Sequence, residues 1–239
     1  MADRLPPVRT YYRSNISTDI ITAQARVFAH LGIELIQSLD DDRTHAQWLD
    51  KTFGETEDLI IVCDVDAFPL NRPAFVAFID RVRAGSVVGL EQVCNHLGRG
   101  DSYAGPMFLG CTPQAYAAIG WPSLAATGDV DVGQSLTHAA QENGLPVEMI
   151  APQFAIQPKW PLGNRGVFGI GTFYGELDFF HLFESRRATS LTLFGEVADG
   201  VIRGEHDFGQ YLATMALPAP KKKRKFGLFR KSPVRISSW

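Results

Sequence analysis

Two acids, Asp64 and Asp66, close an unbroken apolar run, Leu59-Ile60-Ile61-Val62-Cys63, and Pro69 follows three residues later. Such a run suits a central strand buried on both faces. If the pleat continues through the acids, their side chains leave the same face. In open α/β sheets ligands gather at the carboxyl ends of the strands, so the pair is expected at a binding crevice. Two carboxylates that close repel one another, and a shared divalent cation is the simplest remedy at neutral pH. The competing reading is that one acid merely caps the helix expected over 72–83.

Further candidates lie downstream. Asp129 and Asp131 stand where an irregular stretch meets a helix expected over 132–143, with Asp131 first on the helix itself. Acids there are favoured by the helix dipole, which makes capping the ordinary role for Asp129 and leaves Asp131 as the site candidate. His181 sits in Phe179-Phe180-His181-Leu182-Phe183, a setting in which histidine is usually a satisfied core residue. The adjacent Arg186 and Arg187 would suit a diphosphate or a solvated helix face. Between 158 and 175 five glycines alternate with Lys159, Trp160, Arg165 and aromatics. No nucleotide-binding glycine fingerprint fits that spacing, so the segment reads as a loop able to close over a ligand, with Arg165 facing it.

The elements that must carry these residues alternate in type. Strands are expected over 8–12, 33–36, 59–63, 86–90, 106–111 and 147–150, with 95–105 a loop near the site. Helices are expected over 19–30, 43–53, 72–83, 112–119, 132–143 and 207–216, the last being the final ordered element. Strand and helix in alternation imply a parallel sheet built of right-handed crossovers. The fold class expected is therefore α/β, a single domain over 1–217 with a mostly parallel, Rossmann-like sheet flanked by helices.

Composition is that of an ordinary globular chain: 239 residues, 45% hydrophobic and 21% charged. No run is long enough to cross a bilayer, and the first residues lack a secretory pattern. Three cysteines, Cys63, Cys94 and Cys111, fit neither a disulfide framework nor a zinc site, which suggests a reducing cytoplasm. The net charge of -3 hides an asymmetry. Residues 218–239 hold eight of the 23 basic residues and no acid, leaving 15 basic against 26 acidic residues in the body. An acidic body is a poor match for nucleic acid. The tail interleaves Lys221 to Lys225 with Phe226, Leu228 and Phe229. It could lie on an anionic membrane surface, placing the protein peripherally at the inner face, act as a nuclear import signal, or simply solubilise the chain.

A strand ending in Asp64-Val65-Asp66, an acid near a later helix start at Asp131 and a downstream His181 together resemble the nucleotide-sugar glycosyltransferases of the GT-A fold. That resemblance implies a Mn²⁺ or Mg²⁺ ion bridging the Asp-x-Asp to the diphosphate of a nucleotide-sugar donor. Carried over by residue, it makes Asp66 the principal metal ligand, lets Asp64 touch metal or ribose, and makes His181 a third ligand. Asp131, with Asp129 its rival, would be the base activating an acceptor hydroxyl on a glycan, lipid-linked molecule or protein. Tyr11, Tyr12 and Arg13 would lie against the nucleotide. The chain departs from some of these enzymes in lacking a lysine-glycine motif beyond the histidine. Two rival readings remain: a phosphatase resembling the haloacid dehalogenases, using Asp64 and Asp66 as nucleophile and acid, and a non-catalytic binding module on a transferase-like body.

Overall fold

The structure is a computed structural model describing residues 5–94, 101–162 and 166–216. Arg165, residues 95–100 and the basic tail lie outside the described residues. The first half runs β1 (Val8–Tyr12), α1 (Thr18–His30), β2 (Leu35–Leu39), α2 (His45–Glu55), β3 (Ile60–Asp64), β4 (Ala67–Pro69), α3 (Arg72–Arg83), β5 (Val87–Val93) and β6 (Ser102–Cys111). The second half runs α4 (Pro113–Ala118), α5 (Gln134–Glu142), β7 (Val147–Ile150), β8 (Pro152–Ala155), β9 (Pro158–Pro161), β10 (Val167–Gly169), β11 (Gly171–Tyr174), β12 (Phe179–Leu182), α6 (Ala188–Arg203) and α7 (Phe208–Ala216).

Six strands form the central sheet in the order β2-β1-β3-β6-β5-β7. Three of its pairings are parallel, β1 with β2, β1 with β3 and β5 with β7. β6 runs antiparallel to both its neighbours, so the sheet is mostly rather than wholly parallel. Pro106 lies inside β6 because the ladder with β5 shifts register there: Gly89 faces Leu109, but Leu90 faces Gly105. A proline cannot donate to a ladder and is tolerated at such an irregularity. Residues 102–105, expected in a loop, are therefore the first part of this strand.

β3 explains its own sequence. Ile60 and Val62 join the apolar cluster under α2, α4 and α5, while Ile61 and Cys63 join the larger cluster under α1, α3 and α6. Both faces being covered, no polar residue alternates. Phe108 meets Phe78 edge-on at 5.1 Å in the larger cluster, and each fully buried phenylalanine contributes about 1.5 to 3 kcal/mol. Cys63, Cys94 and Cys111 are buried and unbridged.

A second sheet, β4-β12-β11-β8, is antiparallel throughout. Pro69 closes β4, an edge strand, where it faces Phe179 and the extended chain stops. The glycine-rich segment, expected as a loop, is not an open loop over its described residues. Its described parts form β9, β10 and β11, and Phe168 and Leu162 bury a small cluster with Val93. The most extensive miss is α6, expected nowhere in the sequence reading, although Leu193, Phe194, Val197, Ala198 and Val201 form its buried stripe. No helix among the described residues is long and apolar enough to cross a membrane.

Candidate metal centre

The acids meet where the chain changes sheets. β3 ends at Asp64 in the central sheet, Val65 and Asp66 form a turn, and Ala67 opens β4 in the second sheet. Both carboxylates converge because of this turn and not through strand alternation, which stops at Asp64. β12 runs beside β4 with His181 opposite Ala67, and the Leu182 amide donates to the Asp66 carbonyl at 2.9 Å. That register delivers the imidazole: His181 Nε2 stands 3.7 Å from Asp64 Oδ2 and 3.5 Å from Asp66 Oδ1.

The competing capping role for these acids is filled elsewhere. Asn71 caps α3, its side chain accepting from the Ala74 amide at 2.8 Å.

Asp64, Asp66 and His181 offer ligand atoms that all lie within 4.8 Å of one another. Ligands about 2.1 Å from an octahedral ion stand about 3 Å apart when adjacent and about 4.2 Å apart when opposite, so the observed separations suit a shared divalent cation. Electrostatics agree with geometry. The ion-pair partners of the two carboxylates among the described residues are histidines, His45 and His181, with no lysine or arginine. Burial holds the Asp64 carboxyl above its ordinary range and the neighbouring Asp66 adds to this, against the two histidines. His181 does not behave as a satisfied core residue, since its buried Nδ1 has no hydrogen-bond partner. Its ring is oriented by packing, edge-on to Phe183 at 4.1 Å between centroids.

His45 belongs to the same group and was missed by the sequence reading. It is the first residue of α2, behind the Thr44 and Gln47 capping box. Its Nε2 lies 3.4 Å from Asp64 Oδ1, and its ring stacks parallel on Tyr11 at 5.8 Å. One signal was available. A helix's first turn favours acids over basic side chains, so a histidine there invites a reason other than helix stability.

Two clefts open from the centre and share His45, Asp64 and Asp66. The first, about 220 Å³, is lined by Tyr11, Tyr12, Arg13 and Asn15 and by Arg186 from beyond β12. Arg13 is held by the Asp41 carbonyl at 2.6 Å, and the Tyr11 hydroxyl donates to the Arg43 carbonyl at 2.6 Å. Arg187 does not line this cleft and pairs with Glu184 at 2.8 Å. The second, about 320 Å³, is lined by Tyr103, Met107, Asp131, Phe183 and Glu184.

Asp131 is not on a helix, contrary to expectation. α5 begins at Gln134, and Gly133, with φ of 78°, is its cap. That left-handed backbone suits glycine, and it turns Asp131 back toward the sheet. The Tyr103 hydroxyl donates to its carboxylate at 3.0 Å, as does the Val132 amide at 2.8 Å. Tyr103 is buried, and burial together with Asp131 pushes its hydroxyl far above the usual range, so it stays a donor. Asp129 neither caps α5 nor lines either cleft; it is exposed, and its amide donates to the Thr127 hydroxyl. Arg165 lies outside the described residues.

A pH dependence follows. A carboxyl raised by the fold favours the protonated form, so the stability Asp64 lends the metal-free protein is present at low pH. It is lost as pH rises through the raised value. Metal needs the deprotonated form, so its binding strengthens in the opposite direction. At about a hundred times its Kd, Mn²⁺ should add about 2.7 kcal/mol near pH 7.5, roughly 5 to 10 °C in Tm, and much less near pH 5. Thermal melts with Mn²⁺ or EDTA at the two pH values check this.

No protein-family model matches the chain, and no curated protein does. Among solved structures, the chain is similar to A197 from STIV at 11% identity and a TM-score of 0.44, over 75% of this chain and 95% of that one. It is also similar to a protein described as a glucose-1-phosphate thymidylyltransferase from Bacillus anthracis, solved with a sucrose. There the identity is 12% and the TM-score 0.36, over 60% of this chain and 66% of that one.

Proposed function

We propose that the protein is a metal-dependent glycosyltransferase that moves a sugar from a nucleotide-diphosphate sugar to an acceptor hydroxyl. One observation carries this reading: a cluster of two carboxylates and an imidazole, with no lysine or arginine paired to it among the described residues, stands at the junction of two clefts of unlike lining. The first cleft brings aromatic faces and the cations Arg13 and Arg186, the chemistry that recognises a base and a diphosphate. The second brings Asp131 and Glu184 beside apolar surface, with no lysine or arginine among the described residues that line it, which suits an uncharged, hydroxyl-bearing acceptor.

Asp64, Asp66 and His181 are the residues that would hold the cation. Bound there, a divalent ion supplies a Lewis acid that offsets the charge developing on the leaving diphosphate. Arg186 and Arg13 hold the phosphates from the other side, where an arginine fork can donate twice. Tyr11, stacked on His45, offers a flat surface to base or ribose. Asp131 takes the proton from the acceptor hydroxyl as it attacks. Tyr103 donates to Oδ2 and the Val132 amide to Oδ1, which orients the carboxylate and leaves each oxygen a further lone pair for the acceptor. On this reading Asp129 and Arg165 have no part assigned by geometry.

Arg186→Ala should raise the donor KM about tenfold and leave kcat within about threefold, because the lost contact to the diphosphate is made both before and during reaction. Initial rates against donor concentration measure the split. The function itself is tested by screening nucleotide sugars with Mn²⁺ and following free nucleoside diphosphate. Its release with sugar appearing on an acceptor supports the reading. Release of inorganic phosphate from phosphomonoesters without sugar transfer would reassign the site to a phosphatase, and no binding by any nucleotide sugar would leave a non-catalytic module.

A further inference from the structure

The turn that brings the two acids together changes sheets, so the carbonyls flanking it cannot both be satisfied by strand ladders. Gln24, at mid-length in α1, supplies what they lack. Its side chain is fully buried in a helix face otherwise made of Ile20, Ala23, Val27 and Phe28. A primary amide carries two N–H donors, and Gln24 Nε2 reaches the Asp64 carbonyl at 2.8 Å and the Ala67 carbonyl at 2.9 Å. One nitrogen thus spans the whole turn, from the last residue of β3 to the first of β4. The amide cannot be reversed without setting its oxygen against two carbonyl oxygens. Its orientation is fixed from behind as well, since Gln24 Oε1 accepts from Gln37 Nε2 at 3.1 Å and Gln37 also donates to the Ile21 carbonyl at 3.0 Å.

We infer that Gln24 is a positioning residue for the candidate metal centre, setting the separation of the Asp64 and Asp66 carboxylates by clamping the backbone between them. The inference rests on the metal reading above. A buried amide in an apolar stripe is costly unless every group is paired, and here the pairings serve the turn, the Cys63 sulfur just ahead of it at 3.4 Å, and the amide that holds it. Gln24 meets Asp64 through the aspartate's backbone carbonyl and not through its carboxylate. It acts through the carbonyls of the acid-bearing turn, just as the outer partners of metal ligands tune affinity by fixing orientation.

The test uses Mn²⁺ alone as the probe, its Kd read by electron paramagnetic resonance at a temperature where every variant is folded by circular dichroism. Gln24→Met keeps the volume and removes both donors; Gln24→Asn keeps the donors but is too short to span the turn. Each should weaken Mn²⁺ binding about tenfold or more, with turnover partly restored by excess Mn²⁺. Val27→Ala, which loosens the same buried helix face without touching the clamp, should stay within about threefold of the unaltered protein. Unchanged Mn²⁺ affinity in either folded variant at position 24 overturns the inference, as does equal weakening by Val27→Ala, which would signify general loosening. Gln24→Asn answers the question if Gln24→Met does not fold. If the unaltered protein binds no Mn²⁺, the metal reading itself fails, a result distinct from the loss of the clamp.

Discussion

Asp66→Ala should abolish Mn²⁺ binding and lower turnover by about a thousandfold or more, about 4 kcal/mol of transition-state stabilisation, while the protein folds normally. The expectation rests on asymmetry between the two acids. Asp64 ends a central strand and has two histidines as neighbours, whereas Asp66 sits in the turn with His181 as its partner. Truncating Asp66 leaves its carbonyl bonded to Leu182, so the link between turn and β12 survives. It also relieves the repulsion that helps to raise the Asp64 carboxyl, so the metal-free variant should melt no lower than the unaltered protein. Calorimetric titration with Mn²⁺, thermal melts in EDTA and a rate assay separate these effects. Normal Mn²⁺ affinity in the variant would remove the foundation of the proposed function.

Asp131→Asn should cut transfer to the acceptor by about a hundredfold to ten-thousandfold, the usual worth of a positioned base, and leave donor affinity unchanged. The amide oxygen can still accept from Val132 while the new NH2 donates to the Tyr103 hydroxyl, which can accept as well as donate, so geometry is largely kept and basicity is what disappears. On the proposed reading the donor occupies the other cleft, which Asp131 does not line. A variant that transfers at the normal rate would show that another group takes the proton. Measuring donor Kd beside kcat distinguishes loss of the base from collapse of the site.

What could be seen in the chain beforehand divides along physical lines. The buried strand at 60–64 and the acids closing it were legible because burial on both faces writes itself as an unbroken apolar run. The helices at 18–30 and 72–83 were legible from their stripes, and the latter begins at a cap, Asn71, that made the acidic alternative unnecessary. The second sheet was not. Its strands are three or four residues long, too short for alternation to show, and it is interrupted by the glycines that suggested a loop. β6 hid behind Pro106, which marks a break in most contexts but here coincides with a register shift. α6 could have been found from its stripe, but two arginines ahead of it offer no side-chain cap: Arg187 stands at the cap position without a capping bond.

The candidate centre was legible as residue types and not as a constellation. His181 was named, yet its approach to the acids depends on the pairing of β4 with β12 across about 110 positions of chain, a tertiary fact with no local trace. His45 and Gln24 carry no motif at all. Each is recognisable only as a polar side chain standing where helix stability alone would choose something else.

The buried sulfurs have a practical consequence. Cys63 directly precedes Asp64, and desolvation holds its thiol well above the ordinary range, with the Cys111 thiol pushed up to about 12. Thiolate is the form that reacts, so alkylating reagents should find these positions silent in the native protein and attack them only when the central strands part. The mass added over time in a labelling experiment would then count global openings, and a metal that slows the labelling at Cys63 would reveal its occupancy without any knowledge of the sugar.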